Sequence, residues 1–135
     1  MLKEKSEQYN IFIIDDDAFL LDMYALKFSQ RNFIVKSAPG TLVALEKLRE
    51  GYVPDIILVD LVMPAMDGFE FLETLRAEGL AKSAMIIILS NLGQQEDIDR
   101  GLLLGASGYI VKASATPSEV VEKVLETVEE QHHKK

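Results

Sequence analysis

The stretch Asn10-Ile11-Phe12-Ile13-Ile14-Asp15-Asp16-Asp17 is an apolar run that halts on three carboxylates. Three later runs behave alike. Ile56-Ile57-Leu58-Val59 halts on Asp60, Met85-Ile86-Ile87-Ile88-Leu89 on Ser90, and Tyr109-Ile110-Val111 on Lys112. Strands buried on both faces of a parallel sheet read as continuous apolar runs. In open α/β sheets, ligands bind just beyond the carboxyl ends of the strands. If the four runs are neighbouring parallel strands, carboxylates, a hydroxyl and an ammonium converge on one rim.

The regions between the runs supply the helices. Residues 17–31 place Phe19, Leu20, Met23, Tyr24 and Phe28 at helical spacing, and residues 40–50 place Leu42, Leu45 and Leu48 on one face. A short strand is expected at Phe33-Ile34-Val35. Asp67, with Glu70 three positions on, reads as a capping box opening a helix that runs to about Ala77. Residues 94–104 read as a fourth helix stopped by Gly105. Thr116-Pro117-Ser118-Glu119 opens a fifth, with Val120, Val121, Val124, Leu125 and Val128 as its buried face. The pattern is (βα)5, an α/β doubly wound five-stranded parallel sheet with helices on both faces. Residues 1–9 are a polar lead-in, 10–130 the single domain, and 131–135 a frayed tail in which His132 and His133 receive no role.

Bulk properties narrow the function. The 135 residues are 48% hydrophobic and 27% charged, enough for one domain with a sizeable core. No apolar run approaches the roughly 20 residues of a membrane span. The start is too polar for a signal peptide, and the chain has no cysteine, so a cytoplasmic setting is expected. A formal charge of −8 argues against direct binding of nucleic acid, whose phosphates need a basic patch.

Asp15 and Asp16 at the end of the first strand, and Asp60 at the end of the third, would lie within several ångströms of one another if those strands adjoin. Like charges that close raise one another's pKa, and a divalent cation relieves the repulsion. An oxygen-only donor set suits Mg²⁺. Asp60 is then a candidate nucleophile toward phosphorus. Ser90 and Lys112 are placed to serve the phosphoryl oxygens. Asp17 reads instead as a helix N-cap.

In these motifs, over residues 10–130, the chain resembles the receiver domain of two-component response regulators. The acidic pair is matched by Asp15 and Asp16, and the phosphorylated aspartate by Asp60. The following proline and glycine are matched by Pro64 and Gly68, the hydroxyl residue by Ser90, and the aromatic and lysine of the fifth strand by Tyr109 and Lys112. The resemblance implies a flavodoxin-like sheet in the order 2-1-3-4-5. It implies that Asp60 takes a phosphoryl group from a phosphohistidine on a sensor histidine kinase or histidine phosphotransfer protein. Mg²⁺ would be held by Asp15, Asp16, Asp60 and the backbone carbonyl of Val62. Ser90 and Lys112 would then close on the phosphate and Tyr109 would turn inward. That movement would remodel the face of helix 4, strand 5 and helix 5 for a downstream protein target. No effector domain follows, which suggests a stand-alone receiver without turnover enzyme activity.

Some positions depart from that pattern or invite another reading. Ala113 stands where receivers carry a proline after a cis bond. Either the loop tolerates a strained cis bond or the bond is trans and Lys112 approaches differently. Val62 and Leu92, two residues beyond Asp60 and Ser90, are apolar and cannot orient a hydrolytic water. Leu102, Leu103 and Leu104 cannot all face a core, so part of that run is expected at the surface as a contact for a partner or a homodimer. The rival function is a small haloacid-dehalogenase-like phosphatase using Asp15-x-Asp17, and a third is a phosphorylation-independent pseudo-receiver.

Overall fold

The structure, a computed structural model, describes residues 8–133. Most of the expected lead-in, residues 1–7, and the last two residues of the expected tail, 134 and 135, lie outside the described residues. Those that are described belong to the fold. The Gln8 amide donates to the Asn32 carbonyl at 3.1 Å, and Tyr9 packs on Phe33 with ring centroids 6.2 Å apart. At the other end the last helix continues to His133.

Five strands alternate with five helices. They are β1 (Asn10–Ile14), α1 (Ala18–Gln30), β2 (Ile34–Ala38), α2 (Thr41–Arg49), β3 (Ile56–Val59), α3 (Gly68–Glu78), β4 (Met85–Ser90), α4 (Gln95–Leu103), β5 (Gly108–Val111) and α5 (Pro117–His133). The strands form one sheet in the order β2-β1-β3-β4-β5, every pair parallel. Alternation along each strand divides the core. Phe12, Ile14, Ile57, Val59 and Ile88 face α2 and α3, whereas Ile11, Ile13, Leu58, Ile87, Leu89 and Ile110 face α1 and α5. β1, β3 and most of β4 are covered on both sides, whereas β5, an edge strand, buries only Ile110 and leaves its other residues half-buried. No described helix is long and apolar enough to cross a membrane.

The caps formed as local chemistry dictates. Asp17 accepts the Leu20 N–H at 3.1 Å, and Asp67 and Glu70 close a complete capping box on α3. Thr116 and Glu119 make the same reciprocal pair at α5. Three expectations need correction. The edge strand β2 begins one residue later than expected and runs to Ala38. It has one neighbour and exposes Lys36 and Ser37, so no apolar run marks its length. On α1 the buried residues are Leu21, Tyr24 and Phe28, while Phe19 in the first turn is 69% exposed. On α2 the buried face is Thr41, Ala44, Leu45 and Leu48. Leu42 points outward because the Thr41 hydroxyl turns inward to donate to the Met66 carbonyl.

Candidate functional site

Register places the site. β1 and β3 pair Ile14 with Val59, so the next residues, Asp15 and Asp60, leave the sheet at the same level. The Asp60 N–H donates to the Ile14 carbonyl at 3.1 Å and locks that alignment. β4 and β5 pair Ser90 with Val111, which brings Lys112 to the same rim. Asp15, Asp60 and Ser90 are buried, and Asp16 is exposed.

Lys112 bridges the two buried acids. Its Nζ lies 2.6 Å from Asp15 Oδ2 and 2.7 Å from Asp60 Oδ2. The remaining oxygens are held by backbone: Asp15 Oδ1 accepts the Asp17 N–H at 2.9 Å, and Asp60 Oδ1 accepts the N–H groups of Leu61 at 2.7 Å and Val62 at 3.2 Å. Asp60 is therefore fixed in orientation from one side with its other oxygen turned toward the pocket. No peptide bond among the described residues is cis, so Lys112–Ala113 is trans. A 3₁₀ turn over Lys112–Ser114 carries the chain away from β5, and the ammonium still reaches both carboxylates. Of the two alternatives open at Ala113, the trans bond holds.

Burial is the main reason that the Asp15 carboxyl titrates above its ordinary range. The bonds from Lys112 and the Asp17 N–H oppose it, and repulsion from Asp60 is the smallest contribution. Mutual repulsion between the acids is thus a minor influence beside burial. For Lys112, burial pulls the pKa down, but the bonds to Asp15 and Asp60 outweigh it and leave the group above the usual lysine value.

One carboxylate oxygen from each of Asp15, Asp16 and Asp60 lies within 4.8 Å of the others. An all-oxygen set, with Asp16 on the solvent side to leave room for water, fits a hard divalent cation. That a cation fits is supported by the Lys112 ammonium, which already draws two of the three acids together. Asp17 is not in the cluster, since its side chain caps α1. The Asp-x-Asp arrangement that a haloacid-dehalogenase phosphatase needs is not what the fold assembles.

Ser90 and Tyr109 meet at a residue read only for its side chain. The Leu92 N–H donates to Ser90 Oγ at 3.3 Å, and the Tyr109 hydroxyl donates to the Leu92 carbonyl. The peptide groups of Leu92 therefore join the hydroxyl behind the pocket to the aromatic ring on β5. Nothing in residue type reveals a backbone relay of this kind. Tyr24 is buried on α1, and burial is the main reason its phenol titrates above the usual value; Lys112 opposes the shift, and Asp15, Asp60 and Asp17 add to it.

Burial first, then the charges of Asp97 and Asp60, push the Tyr109 phenol up to about 12. The folded chain therefore keeps this proton between pH 10 and about 12, where an unfolded chain releases it. Stability must fall across that window and be unaffected by this group below it. Urea midpoints measured across it are expected to decline less steeply in Tyr109→Phe than in the wild type.

The comparisons with known proteins agree with this geometry. The family model described as "Response regulator receiver domain" matches residues 11–125. The phosphate regulon transcriptional regulatory protein PhoB of Escherichia coli (strain K12) is 31% identical over 114 residues, covering 84% of this chain and 49% of that protein. The chain thus spans about half the length of the first curated relatives it matches. Chemotaxis protein CheY of Halobacterium salinarum is 31% identical over 108 residues, 80% of this chain and 88% of that one. Among solved structures, a CheY-like response regulator receiver domain protein from Methanospirillum hungatei JF-1 aligns with a TM-score of 0.82 at 26% identity. It covers 96% of this chain and all of the other. CheY4 of Vibrio cholerae aligns at 0.80 and 25%, covering 90% and 99%.

Proposed function

The chain belongs to the response regulator receiver domain family, and from that membership we propose that Asp60 is the phosphoacceptor of a two-component phosphorelay. The observation that carries the proposal is the position of the Asp60 carboxylate. It ends β3 with Oδ1 on two backbone N–H groups and Oδ2 on Lys112, beside Asp15 and Asp16. The Asp60 oxygen attacks phosphorus, the bond from phosphorus to the donor histidine nitrogen breaks, and the nitrogen keeps the bonding electrons. Such transfers need positioning and charge neutralisation more than covalent help. Lys112 neutralises one phosphoryl charge. Asp15, Asp16 and Asp60, with the Val62 carbonyl, would hold Mg²⁺, which would supply further charge neutralisation.

A sensor histidine kinase or histidine phosphotransfer protein is the proposed donor. The proposed output is the α4–β5–α5 face, remodelled for a downstream protein or a second copy of the chain as Ser90 and Tyr109 respond to the phosphate. Moving such a switch from about 1% to 99% active requires phosphorylation to favour the active state by roughly 5.5 kcal/mol. The chain would catalyse its own phosphorylation and slow dephosphorylation without acting as a turnover enzyme, in the cytoplasm.

Incubation with acetyl phosphate and Mg²⁺ tests this reading. A single phosphoryl adduct is expected, and multiple turnovers of a phosphate ester would favour a phosphatase instead. The adduct should be long-lived. Val62 is exposed and Leu92 half-buried, both apolar, and neither can align a water for attack on phosphorus. A positioned acid–base group contributes about a hundredfold or more to such steps. Leu92→Glu is accordingly expected to shorten the phosphoryl half-life by about tenfold or more, and an unchanged decay would contradict this role for the position.

A further inference from the structure

A second concave surface lies at the other end of the sheet. Ile86 stands near the start of β4 and Ser90 at its end, so about 13 Å of strand separates the two regions. Here the C-terminal end of α3, the turn after it and the end of α4 enclose a groove of about 270 Å³. Leu72, Leu75, Ile86 and Leu104 line it, with Arg76 and Lys82 at its margin. Leu103, the residue before Leu104, is 79% exposed.

The cations at the margin are unlike others nearby. Arg49 is held by Glu78, and Arg100 by Glu73 and the ring of Phe69. No carboxylate among the described residues pairs with Arg76 or Lys82. Both lie along glycines. A Cβ on Gly79 would stand 3.1 Å from Lys82 Cε, and one on Gly105 would stand 3.4 Å from Arg76 Nη2. Arg76 Nη2 also donates to the Leu103 carbonyl at 3.3 Å, which holds its charge beside that exposed leucine. In a chain of formal charge −8, two unneutralised cations thus flank one apolar trough.

We propose that this groove docks a segment of a partner protein in which bulky apolar side chains sit beside carboxylates. Charge complementarity selects the carboxylates, since the cations lack acidic partners of their own. The size favours a peptide over a small molecule. The trough is smaller than small-ligand pockets usually are, and an exposed apolar side chain, Leu103, stands on the residue whose carbonyl Arg76 binds.

The test uses the unphosphorylated full chain and two probes. One is a synthetic peptide in which leucine and phenylalanine alternate with glutamate, and the other is the dye anilinonaphthalene sulfonate. The peptide is expected to bind, to move the amide signals of Leu75, Gly79, Leu104 and Gly105, and to displace the dye. Arg76→Glu combined with Lys82→Glu should weaken it about tenfold or more, while Lys36→Glu on β2 leaves it unchanged. Lys82→Glu alone should weaken it measurably, and because the Lys82 side chain makes no hydrogen bond or ion pair with the described residues, the proposal stays testable if Arg76→Glu impairs folding. Peptide signals moving elsewhere, an affinity unmoved by Lys82→Glu, or a dye that the peptide does not displace would each overturn the proposal. The last outcome would indicate a small-anion pocket.

Discussion

Asp60→Asn protein incubated with acetyl phosphate and Mg²⁺ is expected to keep its unmodified mass where the wild type gains one phosphoryl group. The amide removes the nucleophilic oxygen but keeps the shape. Its carbonyl oxygen can still accept the Leu61 and Val62 N–H groups that orient the side chain, so the fold should survive. The new NH₂ would face the Lys112 ammonium across the 2.7 Å contact, donor against donor, and Lys112 would lean toward Asp15. Asp15 is the more deeply buried of the two acids, 2% exposed against 7% for Asp60, and is not expected to take over the chemistry. A cation that binds only the folded chain stabilises it in proportion to its affinity. Mg²⁺ should therefore raise the urea midpoint of the wild type, and raise it less in Asp60→Asn, which has lost one of three carboxylates. Mass spectrometry and urea titration read the two effects independently. An adduct that persists in Asp60→Asn, or that maps to Asp15, would remove Asp60 from the role assigned to it.

The second large effect is expected at Gly68. A Cβ there would stand 2.5 Å from the Asp60 carbonyl oxygen, 2.7 Å from Leu61 Cα and 2.9 Å from Leu61 Cδ2. Two of these atoms are backbone and cannot swing aside. The start of α3 is pinned there by its capping box and by the Gly68 N–H bond to the Leu61 carbonyl at 2.9 Å. Gly68→Ala must therefore displace either the helix start or the end of β3. Overpacking of this kind costs about 3 kcal/mol when the neighbours resist. Because the displaced segment holds the phosphoacceptor, an error of about 1 Å could slow phosphorylation roughly a hundredfold. A lowered urea midpoint with unchanged slope, together with slower adduct formation, is the expected result. Gly40→Ala is the control, since a methyl group there meets nothing within 4 Å. A wild-type midpoint and rate in Gly68→Ala would show that the close approach is unimportant.

Gly68 also shows where reading a sequence stops. Its place eight residues after Asp60 is visible in the chain, and it marks a family resemblance. The reason for a glycine, the contact of the start of α3 with the backbone of Asp60 and Leu61 just beyond β3, exists only in three dimensions. Lys112 is similar. That it ends an apolar run is plain from its neighbours, but whether it reaches the carboxylates past Ala113 is settled by the trans bond and the turn after it.

What the chain alone determined follows from solvent exclusion and local hydrogen bonding. Strands covered on both faces must be apolar throughout, so β1, β3 and β4 announce themselves; the half-buried edge strand β5 is short but apolar, and the last residues of all four define a rim. Helix starts at Asp17, Asp67 and Thr116 need only a side chain and a backbone amide a few residues apart. Packing between distant segments decided the remainder. The reach of edge strand β2, the outward turn of Phe19 and Leu42, the ammonium between Asp15 and Asp60, and the two bonds meeting at Leu92 all depend on what lies across a gap. No local pattern encodes a neighbour that arrives from elsewhere in the chain.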